Sequence, residues 1–198
     1  MADYPSKVIP LFNGKAWLSQ YPDWRAVKNP ATKYPLRPKP WPAASLNHMG
    51  VDMYGIGWNP PLYVPPTADG TVVEVNKTGG NGKYGWYNTS GLYVAVKVDG
   101  TVGCEVVWTA KHLSGQLVKV GDKVKAGQMF AYEGKTGEAS GLHVHCDLFV
   151  DGARWDPTPH FWDGRSFKIK MESEDAVVNL PVIAEYVATD NIKIRNGA

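Results

Sequence analysis

The sequence predicts a mainly β protein built on an antiparallel sheet, and three observations carry that expectation. Its 198 residues include 15 prolines and 21 glycines, breakers set too close together for the long uninterrupted runs of a helical bundle. Short runs rich in Val, Tyr and Trp recur between turn signals, as strands half-buried on a pleated surface do. Two of those runs meet at Asp99-Gly100 and another ends at Asp151-Gly152, the dipeptide that tight hairpin turns prefer. With 43% hydrophobic residues the chain can bury a sizeable core, so one main domain with attached segments is expected.

Taken in order, residues 1–45 carry prolines at 5, 10, 22, 30, 35, 38, 40 and 42. Proline blocks ladders and helices, so these residues read as an irregular arm lying on the domain. From residue 46 the pattern changes, and candidate strands fall at 70–76, 91–98, 102–109, 128–133 and 143–150. The glycine-rich run from Gly79 to Gly85 lacks the Lys-Ser/Thr ending of a phosphate cradle and reads as a flexible loop. The main domain closes near residue 165. Residues 166–198 mix apolar and charged residues without a period and read as a linker. Its end, from Val187 to Gly197, resembles the opening strand of a bacterial SH3-like wall-binding repeat.

A net charge of +2 supplies no clustered basic face, so nucleic acid is not an expected partner. Two cysteines, Cys104 and Cys146, are too few for a disulfide framework or a thiolate zinc site. The first ten residues lack the basic start and apolar run of an export signal, and no stretch reaches the length of a membrane span. The expectation is a protein without a signal peptide and without membrane insertion, acting as a monomer.

Three of the histidine contexts bear on chemistry. In Gly141-Leu-His-Val-His-Cys-Asp-Leu-Phe-Val150, strand alternation puts His143, His145, Asp147 and Phe149 on one face, and Leu142, Val144, Cys146, Leu148 and Val150 on the other. The second face reads as core, with Cys146 a buried free thiol. Both histidines then reach one metal centre without both having to ligate it. His48-Met-Gly-Val-Asp52 offers an imidazole and a carboxylate on a short segment that Gly50 lets bend. Adding one histidine gives a His₂Asp set with an open fourth position, which suits hydrolytic rather than structural zinc. Each residue alone has a plainer reading: a hydrogen-bonded core histidine, or a carboxylate capping a turn.

The order His48-x-x-x-Asp52, Lys111-His112-Leu-Ser114 and Gly137-Glu-Ala-Ser-Gly-Leu-His-Val-His145 resembles the lysostaphin and LytM-type zinc peptidases of family M23. Val64-Pro-Pro-Thr-Ala-Asp-Gly-Thr-Val72 resembles the family's early strand turn. The run from Val118 to Gln128 resembles its Val-x-x-Gly-x-x-Val-x-x-Gly-Gln hairpin. The likeness spans about residues 46–157. It implies the LytM/lysostaphin-type fold, Zn²⁺ on His48, Asp52 and His145, and proton handling by the unligated His112 and His143. It implies hydrolysis of peptide bonds in bacterial peptidoglycan, the stem peptide or cross-bridge. Leu142, Cys146 and Ala110 depart from the family's usual Pro, Phe and aromatic, which bears on cleft lining and substrate preference. His160 matches no position and reads as structural. Without an export signal, a phage lysin held in the host cytoplasm until release, or a virion-associated one, is the expected setting. A catalytically silent wall-binding or phage structural module is the alternative, and a zinc hydrolase of another polymer a third.

Overall fold

The computed structural model describes residues 5–23, 25–30, 47–78, 81–85 and 89–171. Twelve strands, a 3₁₀ turn (Pro10–Phe12) and one short α-helix occupy them: β1 (Ser6–Ile9), β2 (Gly14–Gln20), β3 (Val51–Gly55), β4 (Pro61–Tyr63), β5 (Gly70–Asn76), β6 (Leu92–Val98), β7 (Val106–Leu113), β8 (Gly115–Gln116), β9 (Lys123–Val124), β10 (Met129–Tyr132), β11 (Val144–Val150), β12 (Ala153–Trp155) and α1 (Thr158–Phe161). A nine-stranded sheet runs β1-β2-β3-β11-β7-β6-β5-β9, with β12 also on β11, and a three-stranded sheet runs β4-β10-β8. The paired strands are antiparallel throughout, as expected.

The two sheets enclose the main core. Alternate residues of β11, namely Val144, Cys146, Leu148 and Val150, face it together with Val106, Trp108 and Ala110 of β7. Trp108 is fully buried, stands edge-on to Phe130 at 5.2 Å, and donates its indole N–H to the Ala68 carbonyl at 2.9 Å. Such a partner lets an indole be buried without an orphaned donor. The opposite face of the large sheet carries a smaller cluster of Tyr84, Tyr93, Ala95, Val107 and Phe149. That face therefore passes from apolar at one end to the histidines at the other.

Several expectations need correction. Part of the arm is regular: β1 and β2 form a hairpin, and β2 pairs with β3. Pro5, Pro10 and Pro22 lie outside the two strands, where a missing N–H breaks no ladder. Residues 31–46 lie outside the described residues. The strand expected at 102–109 starts at Val106, because Gly103 takes φ +71° and Val102 pairs instead with the chain near Lys170. Residues 166–171, expected to begin a linker, bury Phe167 and Ile169 in the core. The wall-repeat resemblance at 187–197 lies outside the described residues. Of the expected flexible loop, residues 81–85 are anchored: Tyr84 and Gly85 are buried, and Glu74 accepts from the Tyr84 amide at 3.2 Å. Asp151-Gly152 makes a two-residue turn between β11 and β12, both residues at positive φ (48° and 75°), as a type I′ turn demands.

Glu133, just after β10, is fully buried, and its Oε2 has no partner among the described residues. Burial pushes its carboxyl up to about 8, against a small opposing pull from the Gly55 amide, which bonds Oε1 at 3.3 Å. An acid raised in the folded state leaves stability intact below its unfolded value of 4.5 and erodes it as pH climbs toward 8. Glu133→Gln is therefore expected to raise the melting temperature at about pH 9, by roughly 3–5 kcal/mol of stability, and to change little at about pH 4. A gain of equal size at both pH values would disprove this account.

Candidate metal centre

The centre forms where the segment before β3 crosses the start of β11. His145 on β11 is paired in register with Asp52 on β3, which brings the carboxylate onto the imidazole. Gly50 lies against the same strand: a Cβ there would stand 2.4 Å from His145 Nε2 and 2.5 Å from the Cys146 carbonyl. The chain bends at Gly50 as expected, but its φ is not positive, so what the position requires is a missing side chain.

Three donor side chains converge. His48 Nε2 lies 3.1 Å from Asp52 Oδ2 and 3.1 Å from His145 Nδ1, and His145 Nδ1 lies 2.9 Å from Asp52 Oδ1. His48, Asp52 and His145 are the one group of possible metal donors found among the described residues. A tetrahedral zinc shell with bonds of about 2.0–2.1 Å spaces its ligand atoms roughly 3.3 Å apart. The spacing and the nitrogen and oxygen donors both fit such an ion.

Hydrogen bonds fix which ring nitrogen each histidine offers. A backbone carbonyl only accepts, so a ring nitrogen facing one carries the proton. His48 Nδ1 donates to the Tyr21 carbonyl at 2.9 Å, which leaves Nε2 with its lone pair toward the centre. His143 Nδ1 donates to Gly141 O at 3.0 Å and His112 Nδ1 to Thr136 O at 2.8 Å, so each turns Nε2 away from that bond. His145 is reversed: Nε2 meets the Asp147 carboxylate at 3.0 Å and Nδ1 faces the centre.

The arm completes the support of His48. Besides the Tyr21 carbonyl, the Asp23 amide donates to His48 O at 2.7 Å, and the Asp23 carboxylate accepts from the Asn47 amide at 3.1 Å. Arg25 binds the same carboxylate, and that bond outweighs burial to hold Asp23 down at about 2.

His112 reaches the site through an irregularity. Leu92 pairs with Leu113 but Val94 pairs with Ala110, so β7 carries one extra residue there, and His112 takes φ +63°. A bulge of this kind re-aims a side chain. Strict alternation from Ala110 would send His112 into the core. The bulge sets its ring 4.7 Å from His143 and 5.9 Å from His145. Burial first, then positive charge on His145 and His143, pushes His112 down to about 3, so it stays neutral. His143 Nε2 stands 3.8 Å from Asp52 Oδ1.

Burial alone would lower His145, but Asp147 and Asp52 overcome it and hold the metal-free ring up at about 9. Burial would raise Asp52, and His48 and His145 instead hold it well below the usual carboxylate range. A cation binding at His145 therefore competes with a proton for the ring. The centre lies in a cleft of about 440 Å³ bordered by Asn47, Met49, Thr89, Ser90 and Glu138. A second lobe of about 400 Å³ continues past Asp52 and His143 along Ser19, Tyr54 and Leu142.

All five sequence candidates thus come together. Residues 47–157 match Peptidase family M23, which is more than half of the chain. The chain belongs to that family. Within the match this M23 chain is similar to the glycyl-glycine endopeptidase ALE-1 of Staphylococcus capitis, 37% identical over 117 residues, 57% of this chain and 28% of that protein. It is also similar to Morphogenesis protein 1 of Bacillus phage B103, 28% identical over 120 residues, 56% of this chain and 29% of that protein. The matched stretch spans less than a third of either relative. In fold it resembles a chain in the crystal structure of the SpoIIIAH and SpoIIQ complex, with TM-score 0.51 and 21% identity over 79% of this chain and 99% of that one.

Outside the centre, His160 is buried on α1, donates Nδ1–H to Ser166 O at 2.8 Å, and is pushed down to about 4, chiefly by burial. It is structural, as expected. Cys146 is a free thiol in the core. The sequence reading missed the partners of the donors: the Tyr21 carbonyl, Asp23, and the buried Asp147 and Lys111. Asp147 alone had a signal, since alternation already put it beside His145.

Proposed function

We propose that the chain is a zinc-dependent endopeptidase that hydrolyses peptide bonds of bacterial peptidoglycan, in the stem peptide or cross-bridge, and that it serves as a phage lysin. The observation that carries the reading is the convergence of His48, Asp52 and His145 beside two further imidazoles turned away from their backbone acceptors. The endopeptidase name of the staphylococcal relative supports internal cleavage of a peptide chain, and the phage origin of the other supports the setting. A cleft that continues on both sides of the centre suits an extended chain cut internally. All five side chains come from one chain, so the working unit is taken as a monomer.

His48, Asp52 and His145 would hold the ion. When bound, zinc acidifies water and polarises a peptide carbonyl. The remaining work falls to this chain's own residues. His143 is placed to accept the proton from the attacking water at Nε2, because Asp52 lies close enough to steady the resulting imidazolium. It then returns that proton to the leaving amine. His112, kept neutral by burial, offers Nε2 as an acceptor that orients the substrate amide or the water. Asp52 is a poor proton carrier, since its carboxylate stays ionised.

The test is a suspension of purified bacterial walls. Turbidity is expected to fall and new amino termini to appear, both lost on chelation and regained with zinc, and mass spectrometry of the fragments identifies the bond. A zinc-loaded chain that sediments with walls but releases no amino termini would overturn the reading in favour of a silent binding module.

A further inference from the structure

Lys111 and Asp147 carry a pair of charges in a place where the peptidase chemistry above does not use them. Both are buried, Lys111 at 5% exposure and Asp147 at 0%. They lie 2.5 Å apart, Lys111 Nζ to Asp147 Oδ2. The other carboxylate oxygen, Oδ1, accepts from His145 Nε2 at 3.0 Å, and the Thr109 hydroxyl donates to Oδ2 at 3.2 Å. The register explains the arrangement: His145 pairs with Lys111 and Asp147 with Thr109 across β7 and β11. The four side chains therefore share one face, with lysine and aspartate on its diagonal.

Taking two charges out of water costs several kcal/mol per ion, so a buried pair is a poor device for stability alone. This one ends on a nitrogen of a candidate ligand. We infer that Asp147 and Lys111 are positioning residues for the metal centre: Asp147 holds the His145 ring so that Nδ1 faces the donors, and Lys111 locks Asp147 in that pose. The inference rests on the reading of His48, Asp52 and His145 as a metal site. It adds that the ion's affinity depends on a pair that touches neither ion nor substrate.

The geometry argues for orientation. Aspartate is short, and one carboxylate spans Lys111 and His145 with separate oxygens. Rotating the His145 ring would break the Oδ1 bond, and rotating the carboxylate would break the lysine contact. Without the acceptor, the ring is free to turn either nitrogen toward Asp52. Outer partners of this kind typically change metal affinity by about 10–100-fold.

The test measures zinc affinity by chelator competition, with thermal melting of the zinc-free protein as the check on folding. Removing one partner alone would strand a buried charge, so both are replaced together. Asp147→Asn with Lys111→Met keeps an acceptor oxygen, and zinc affinity is expected to fall about tenfold. Asp147→Leu with Lys111→Met removes the acceptor, and the fall is expected to approach a hundredfold. If the leucine variant does not fold, the asparagine variant decides the matter alone. Either double variant, folded and binding zinc within twofold of the parent, overturns the assignment. A parent that binds no zinc overturns the metal-site reading and this inference with it. Zinc binding that follows the expected ladder in a chain that leaves walls intact supports the pair's role while the wall reading fails.

Discussion

Replacing His143 with Ala is expected to lower the rate of peptide-bond cleavage by about 10²–10⁴-fold while zinc stays bound. The two halves of that statement have separate causes. His143 is not in the convergent donor group: its Nε2 is 3.8 Å from Asp52 Oδ1, whereas the contacts among His48, Asp52 and His145 are 2.9–3.1 Å. Metal affinity should therefore survive. The Nδ1–H bond to Gly141 O fixes the tautomer that leaves Nε2 able to accept, so the ring is set as a base before substrate arrives. Methyl in place of imidazole removes that acceptor and leaves its counter-ion, Asp52, in place. Initial rates on purified walls, taken beside the zinc content of the same sample, separate the effects. Undiminished cleavage with zinc bound would remove His143 from the mechanism and leave His112 as the base.

The faces of β11 were legible from the sequence because a strand has period two and nothing interrupts 144–150. Val144, Cys146, Leu148 and Val150 all reach the core, and that placed His145 on the far side. The approach of His112 was not legible. Its motif named it, but alternation along β7 points it inward, and the extra residue that turns it out is marked by no glycine or proline. Histidine tolerates the left-handed region better than β-branched residues do, and that is a permission rather than a signal. The Lys111–Asp147 pair was hidden for another reason. Its members stand far apart in the chain and meet only through the β7–β11 register, which hydrophobic pattern fixes in kind but not residue by residue. The arm misled because its prolines are dense, yet those at 5, 10 and 22 sit at strand boundaries. Composition reports how many breakers a segment has and is silent on which ladder positions they occupy.

Gly50→Ala is expected to weaken zinc binding by more than tenfold, with any wall cleavage falling along with it. A Cβ at this position would meet His145 Nε2 at 2.4 Å and the Cys146 carbonyl at 2.5 Å. Neither neighbour can yield cheaply: the carbonyl is backbone of β11, and the ring is held between Asp52 and Asp147. The strain must move the 48–52 segment off β11 or turn the His145 ring, and both separate His48 from His145. Overpacking of this sort costs roughly 1–3 kcal/mol, which also lowers the melting temperature. Gly152→Ala separates that general loss from the specific one. Gly152 takes φ +75° in the β11–β12 turn, where a Cβ would meet nothing within 4 Å. Alanine there is strained by about 1–2 kcal/mol at a distance from the donors. The control should melt earlier and bind zinc as the parent does. If Gly50→Ala behaves like the control, the close approach of this segment to β11 is not what brings the donors together.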